Sequence, residues 1–483
     1  MSASNPADPP LAARFVSGSL MRHVSVLAST GAVGLMAVFA VDLINLFYIS
    51  RLGQKEIAAA VGFAGVVTFF HLSLVIGLTI GIGAIVARAI GAAQSVDARR
   101  LATASLVVIV VITAAAGSGT ALVLGPVLQT LGAPGEVATL AHRYLAVSVH
   151  SLPLLAMGMA CAALLRAVGD ARRAMVVALA AAGVTAVLDP ILIFGFKLGL
   201  DGAAIASVVS RAVMASVGLY GVLVHHRMLL RLDVRRLAAD AKTLMAVAAP
   251  AILTNLTTPV AAAFVTRWIA QFGLSAVAGA ATIDRVSPVA FGMIYALSEA
   301  VGPILSQNLG AGRVDRVRES LRASLVFMAC AVALAWGVLA LAVLPLGGAD
   351  GPSQGLLIRV FSADGVAAEL ITLFCLWLAP GFFFVGALFV ANAAFNNLGH
   401  PLLSTAFNWG RATLGTIPFA WWGSHYSAAG VLIGQAVGSA IFGLLAMVVA
   451  WRIAGRLKGK VPEPAGGEGV PAAAAVRHSP SAG

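Results

Sequence analysis

Read for its apolar and polar positions, the chain is a succession of long apolar runs interrupted by short polar or Gly/Pro-bearing breaks. A bilayer-spanning helix needs about twenty mostly apolar residues, and runs of that length recur from Val24 almost to the end. The spacing of the breaks predicts twelve helices, at 24–50, 57–90, 101–130, 138–168, 174–195, 201–226, 242–272, 276–309, 319–346, 366–397, 402–423 and 427–455. The organisation expected is an N-terminal segment 1–23, six helices over 24–226, a connecting loop 227–241, six more over 242–455, and a tail 456–483. That tail is rich in Pro, Ala and Gly, buries too little to order itself, and is expected to be disordered.

Composition agrees with the pattern. Of 483 residues 60% are apolar and 10% charged, a balance no soluble globular domain has, so the chain reads as an all-α integral membrane protein. A net charge of +12 could suggest nucleic acid, but the cations sit in short clusters between apolar runs. Most of them, among them Arg99, Arg100, Arg172, Arg173, Arg235, Arg236, Arg313 and Arg316, fall at one end of the predicted bundle. Only Arg51, Lys55, Arg143, Lys197, Arg267 and Arg359 fall at the other. The positive-inside rule then places both termini in the cytoplasm of a bacterial inner-membrane protein that contacts lipid and no nucleic acid. Cys161, Cys330 and Cys375 lie in apolar runs without metal-ligand spacing, so no metal, cofactor or disulfide is implied. There is no phosphate-binding loop to make ATP the driver and no nucleophile constellation to suggest an enzyme.

A repeat sets the architecture. Ile85-Val-Ala-Arg-Ala-Ile-Gly-Ala-Ala, followed by a basic loop, returns as Ile304-Leu-Ser-Gln-Asn-Leu-Gly-Ala-Gly, also followed by a basic loop, 219 residues later. Arg51-Leu-Gly and Ala58 to Ala60 similarly match Gln271-Phe-Gly and Ala278 to Ala281. Two parallel six-helix repeats follow, an N-lobe and a C-lobe, with a small-molecule site expected between them near the midplane.

Several motifs, in order and spacing, resemble the multidrug and toxic compound extrusion (MATE) family. They are Val41-Asp-Leu-Ile-Asn-Leu-Phe-Tyr-Ile-Ser-Arg-Leu-Gly with Glu56-Ile-Ala-Ala-Ala-Val-Gly, then Leu165-Arg-Ala-Val-Gly-Asp, Leu188-Asp-Pro-Ile-Leu-Ile-Phe-Gly and Gln307-Asn-Leu-Gly-Ala-Gly. The resemblance implies cation-coupled antiport of amphipathic, often cationic organic compounds by a monomeric transporter.

Four acids, Asp42, Asp189, Asp284 and Glu299, fall well inside predicted helices, where even lenient scales charge roughly 2.5 to 3.5 kcal/mol for an ionised group. Asp42 lies nine residues before Arg51 and Asp189 eight before Lys197, so the two share a depth. Such a buried pair can trade protons near neutral pH. The repeat places Ala262 opposite Asp42 and roughly Ile417 opposite Asp189, which confines the pair to the N-lobe. In proton-coupled relatives two such aspartates are assisted by a tyrosine, an asparagine and a hydroxyl; the matching positions hold Tyr144, Thr185 and Ser207, with Thr185 departing from the pattern. Tyr144 beside His142 and Arg143 also fits an interfacial aromatic belt, and Thr185 and Ser207 also fit helix packing. The sodium-coupled pattern asks for acids where this chain has Asn255, Thr257 and Thr258, and Asn392, Asn396 and Asn397, which favours H+ over Na+ as the coupling ion. Asn255, Asp284 and Glu299 are the C-lobe candidates for the cavity. A sodium-coupled antiporter and a flippase of lipid-linked sugars remain alternatives; the latter often carries cavity cations, and within helices only Arg211, Arg285 and Arg411 would serve.

Overall fold

A computed structural model describes residues 10–51, 55–345 and 355–457, and the side chains of Asp42 and several neighbours near the end of the first helix also lie outside the described residues. The described residues contain no strand. The N-lobe helices are α1 (Leu20–Arg51), α2 (Lys55–Gly91), α3 (Ser95–Thr130), α4 (Gly135–Ala167), α5 (Ala171–Gly195) and α6 (Gly199–His225). The C-lobe helices are α7 (Val234–Phe272), α8 (Leu274–Ala290 and Gly292–Gly310), α9 (Val314–Val343), α10 (Gly365–Leu398), α11 (Pro401–Gly410 running on through Arg411–Thr416 to Ile417–Ser424) and α12 (Ala428–Arg456). Ten of these are each long and apolar enough to cross a membrane, and α8 does so as a pair bent by 49°. α11 supplies the twelfth crossing, with Trp421 and Trp422 exposed near its end as in an interfacial belt.

The breaks have local causes. Pro259 cannot donate to the carbonyl four residues back, and α7 parts at Leu256, between Val234–Asn255 and Thr257–Ile269. Pro288 does the same to α8 ahead of its bend at Phe291. Pro190 precedes a π-helical turn, Ile191–Gly195, and further π turns occur at Gly221–His225, at Phe374–Leu378 and, in the middle of α11, at Arg411–Thr416. The expected loop 227–241 is half helix, since the Asp233 carboxylate accepts from the Arg235 amide at 3.1 Å and starts α7 there. Gly31 and Gly34 on α1 are packing sites: a Cβ would stand 3.2 Å from that of Ala296 on α8 and 3.2 Å from that of Ala178 on α5.

The two lobes meet through the halves of their helices nearest the termini. There α1 lies on the second half of α8, and α2 lies on the first half of α7 and the second half of α8. A Cβ at Gly77 would meet Ile252 at 2.4 Å, and one at Gly81 would meet Ala248 and Leu244 at 3.0 Å. Beyond their breaks, α7 and the first half of α8 pack chiefly within the C-lobe. The V formed by the lobes therefore opens away from the termini.

The repeat motifs close that seam reciprocally. A Cβ at Gly91 would stand 2.1 Å from the Gln307 carbonyl, and a Cβ at Gly310 would stand 2.1 Å from the Arg88 carbonyl. Gly91 and Gly310 are repeat equivalents, and so are Arg88 and Gln307. The side chains follow the same symmetry. Arg88 Nη2 donates to the carbonyl of Asn397 at 2.5 Å, while Gln307 Nε2 donates to the carbonyl of Ala167 at 2.7 Å, each acceptor lying at the end of the fourth helix of the opposite lobe. Those two helices end alike, at Gly169 and Gly399 with positive φ.

The N-terminal segment is part of this closure. Phe15 is buried, its amide donates to Gln307 Oε1 at 2.9 Å, and its carbonyl accepts from Asn308 Nδ2 and Arg316 Nη2 at 3.1 and 3.0 Å. Gly169 faces the same segment from the N-lobe, its would-be Cβ 3.0 Å from the Arg14 side chain.

Candidate functional site

Asp189 is 1% exposed and occupies the last turn of α5 before Pro190. Asp42 lies on α1, and its side chain is outside the described residues. The two helices pack on one another. α1 and α5 touch before the acids, at Gly34 and Ala178, and after them, where the rings of Tyr48 and Phe194 meet edge to face at 5.8 Å. From the first contact Asp42 lies eight residues on and Asp189 eleven, about 12 and 16 Å at 1.5 Å per residue. The two positions thus lie at similar depth on neighbouring helices that touch on either side of them.

The supporting N-lobe residues are arranged around α4, α5 and α6. Thr185 Oγ1 donates to the Ala181 carbonyl at 3.1 Å, and Ser210 Oγ donates to the same carbonyl at 2.8 Å, tying α6 to α5. Ser207, one turn earlier on α6, is half-buried, as is Tyr144 on α4. Between them the structure adds Arg211. Its Nη1 donates to the Ser148 carbonyl at 2.8 Å and to Ser151 Oγ at 2.7 Å, where a 3-10 turn, Val149–Ser151, interrupts α4, and it stands within electrostatic reach of Tyr144 and His71. His71 is itself held by Thr120 Oγ1 at 2.9 Å. Arg211 was visible in the sequence as an arginine inside a helix, but its partners lie about sixty residues away and carry no local signal.

In the C-lobe, Asn255, Asp284 and Glu299 each precede a proline by four residues (Pro259, Pro288 and Pro303). That is the position whose backbone carbonyl an interior proline leaves without its helical bond. Asn255 Nδ2 donates within its own turn, to the Ala251 carbonyl at 2.8 Å. Asp284 is exposed and makes no ion pair with the adjacent Arg285. Glu299 is 44% exposed and pairs across the lobes with Arg166 at 3.0 Å. A second interlobe pair joins Arg100 of α3 to Asp240 of α7 at 3.2 Å. The amides that stand where the sodium pattern has acids are packing groups here. Asn392 Oδ1 accepts from Asn408 Nδ2 at 2.9 Å, and Asn397 Oδ1 accepts from Ser306 Oγ at 2.6 Å. No group of three or more His, Cys, Asp or Glu residues able to hold a metal occurs among the described residues.

The chain is thus a two-lobed bundle of twelve helices closed at one end by repeat-related contacts. The MatE family model matches residues 32–191 and 250–422, one stretch in each lobe. The chain belongs to the MATE family of transporters. A FAD transporter from Shewanella oneidensis is 30% identical over 428 residues, 87% of this chain and 92% of that one. The multidrug export protein MepA from Staphylococcus aureus is 24% identical over 323 residues, 62% of this chain and 68% of that one. Among solved structures, a mutant of the Vibrio cholerae MATE transporter VcmN superposes with a TM-score of 0.83 at 24% identity, covering 91% of this chain and 98% of that one. A Pyrococcus furiosus transporter of the wider superfamily, described as having a binding pocket of reversed polarity, gives 0.83 at 20% identity, covering 93% and 99%. As a MATE member the chain is a multi-pass membrane transporter of small molecules, not an enzyme.

Proposed function

We propose that this transporter exports amphipathic organic compounds in exchange for protons, with Asp42 and Asp189 as the proton-carrying pair. The observation that carries the reading is the burial of Asp189 on a helix held against α1 on both sides of the two acids. A carboxylate out of water and beside a second one favours binding a proton, and taking it up changes the charge of the α1–α5 interface. With both termini cytoplasmic, as the basic loops indicate, the seam closes the cytoplasmic side and the V faces outward. Protonation from outside then displaces cargo and releases the N-lobe to reset. One proton moving down about 100 mV and one pH unit yields roughly 2.3 and 1.4 kcal/mol, together enough to expel a neutral compound against a several-hundred-fold gradient. The names of the relatives, one for FAD and one for multidrug export, support organic cargo of this size and mixed polarity.

The test is efflux in inverted vesicles under a proton gradient and, separately, a sodium gradient. Native protein should respond to protons alone, and Asp42→Asn and Asp189→Asn should each abolish the response. A sodium response in the native protein, or normal proton-driven efflux in either variant, refutes the assignment.

A further inference from the structure

Arg411 stands near the middle of α11, ten residues from its start, and is the first residue of the π turn Arg411–Thr416. π turns interrupt helices at functional sites more often than elsewhere. The lipid-facing side of α11 is marked by the exposed Leu402, Leu414, Trp421 and Trp422. Arg411 lies off that side, half-buried, with a buried Nε that has no hydrogen-bond partner. It makes no other hydrogen bond or ion pair among the described residues. Arg211 of the N-lobe provides the contrast, since two oxygens of α4 satisfy it.

Tyr295 stands within electrostatic range of both Arg411 and Asp284. Tyr295 belongs to the half of α8 that packs on α1, so this cluster adjoins the seam between the lobes. Its ring lies 5.5 Å from that of Phe389. Among the described residues the Tyr295 hydroxyl makes no hydrogen bond either. A guanidinium at membrane depth without a counter-charge is costly, and removing that cost requires an anion. Among the described residues no acid pairs with it, and Asp284, the acid within electrostatic range of Tyr295, makes no ion pair with Arg411.

We infer that Arg411 binds an anionic group of the transported compound, a phosphate or a carboxylate, with the Tyr295 hydroxyl as a second donor and the Tyr295 and Phe389 rings against the adjoining apolar part. The planar guanidinium suits both anions because it presents paired N–H donors. This rests on the export reading and sharpens it, and departs from the expectation of mostly cationic cargo, since the anionic end faces Arg411.

The experiment is equilibrium binding to the detergent-solubilised full chain by flavin fluorescence, with no ion gradient, so that failure of proton coupling does not affect it. FAD and FMN carry phosphate, and riboflavin has the same ring system without it. Native protein should bind FAD and FMN at least tenfold more tightly than riboflavin. Arg411→Gln should bring them down to the riboflavin value and leave riboflavin unchanged, while Arg411→Lys should retain part of the difference. Dodecyl phosphate, read by thermal shift, tests a lipid phosphate as the source of the anion: a shift confined to protein carrying Arg411, without flavin binding, assigns the site to lipid-linked cargo. Equal binding of FMN and riboflavin by native protein overturns the inference. So does an equal loss of both in Arg411→Gln, or the absence of any phosphate-dependent signal from all three phosphate probes.

Discussion

Burial alone does not decide what an acid of this protein does, and Asp170, between α4 and α5, shows the opposite outcome to that proposed for Asp189. Burial pushes the Asp170 carboxyl up, but the His226 ring at 2.9 Å, the Arg173 guanidinium and the Arg173 amide at 3.1 Å outweigh it and hold it below the usual carboxylate range. A group depressed in the folded state adds stability above its unfolded value, and that stability is lost as pH falls through the folded value. Asp170→Asn should therefore melt lower than native protein at pH 7. The gap should close as pH drops below the ordinary carboxylate range, and a pH-independent gap in Tm would instead mark a packing effect. Asp42, Asp189, Asp284 and Glu299 were all legible as acids in apolar runs, since nothing is rarer there. Their partners were not. The Arg166–Glu299 pair joins helices of different lobes, and no periodicity along the chain encodes such a contact. The bond of Glu299 to Arg166 also means that Glu299→Gln should weaken the seam; accelerated cysteine labelling at a reporter introduced beside the seam would show it.

At the scale of elements, most of the helices and their interruptions could be read from apolar length and proline position. Pro259 and Pro288 mark where α7 and α8 part. What composition hid is how closely the helices approach. The Gly91 and Gly310 segments read as a repeat, yet only the fold shows that each glycine lies against the other repeat's backbone. Gly91→Ala or Gly310→Ala puts a methyl where a carbonyl oxygen already stands, and overpacking of that kind costs about 1 to 3 kcal/mol. Either variant should lower Tm and force the lobes apart at the end near the termini, whereas Gly83→Ala, where a Cβ meets nothing within 4 Å, should leave Tm unchanged. The N-terminal segment was likewise missed. One aromatic residue in a short stretch of mixed character gives no periodic signal, and Phe15 is buried where the two lobes meet over it. Phe15→Ala should cost about 3 to 5 kcal/mol if the pocket does not collapse, read as a loss of thermal stability that removal of residues 1–9 does not reproduce.

For the whole molecule, the parallel repeat predicts a transporter in which one lobe pivots on the other, and the structure identifies what must break for that to happen. Arg88 to the Asn397 carbonyl and Gln307 to the Ala167 carbonyl are a symmetric pair of latches, flanked by the Arg166–Glu299 and Arg100–Asp240 ion pairs. A hydrogen bond from a charged donor contributes about 1.5 to 3 kcal/mol and a neutral one about 0.5 to 1.5. Removing both latches should therefore move the equilibrium between closed and open seam by roughly 2 to 4 kcal/mol, a population change of at least thirtyfold. Spin labels at Gln94 and His400, exposed on loops of opposite lobes, report the separation. Native protein should show one short distance. Arg88→Ala combined with Gln307→Ala should populate a longer one, and each single variant should fall between. If the latches are only packing contacts, the double variant will lose stability while keeping the native distance distribution. If they hold the outward-open state, the longer distance will grow at unchanged Tm, and substrate release to the outside will slow in proportion to the population displaced.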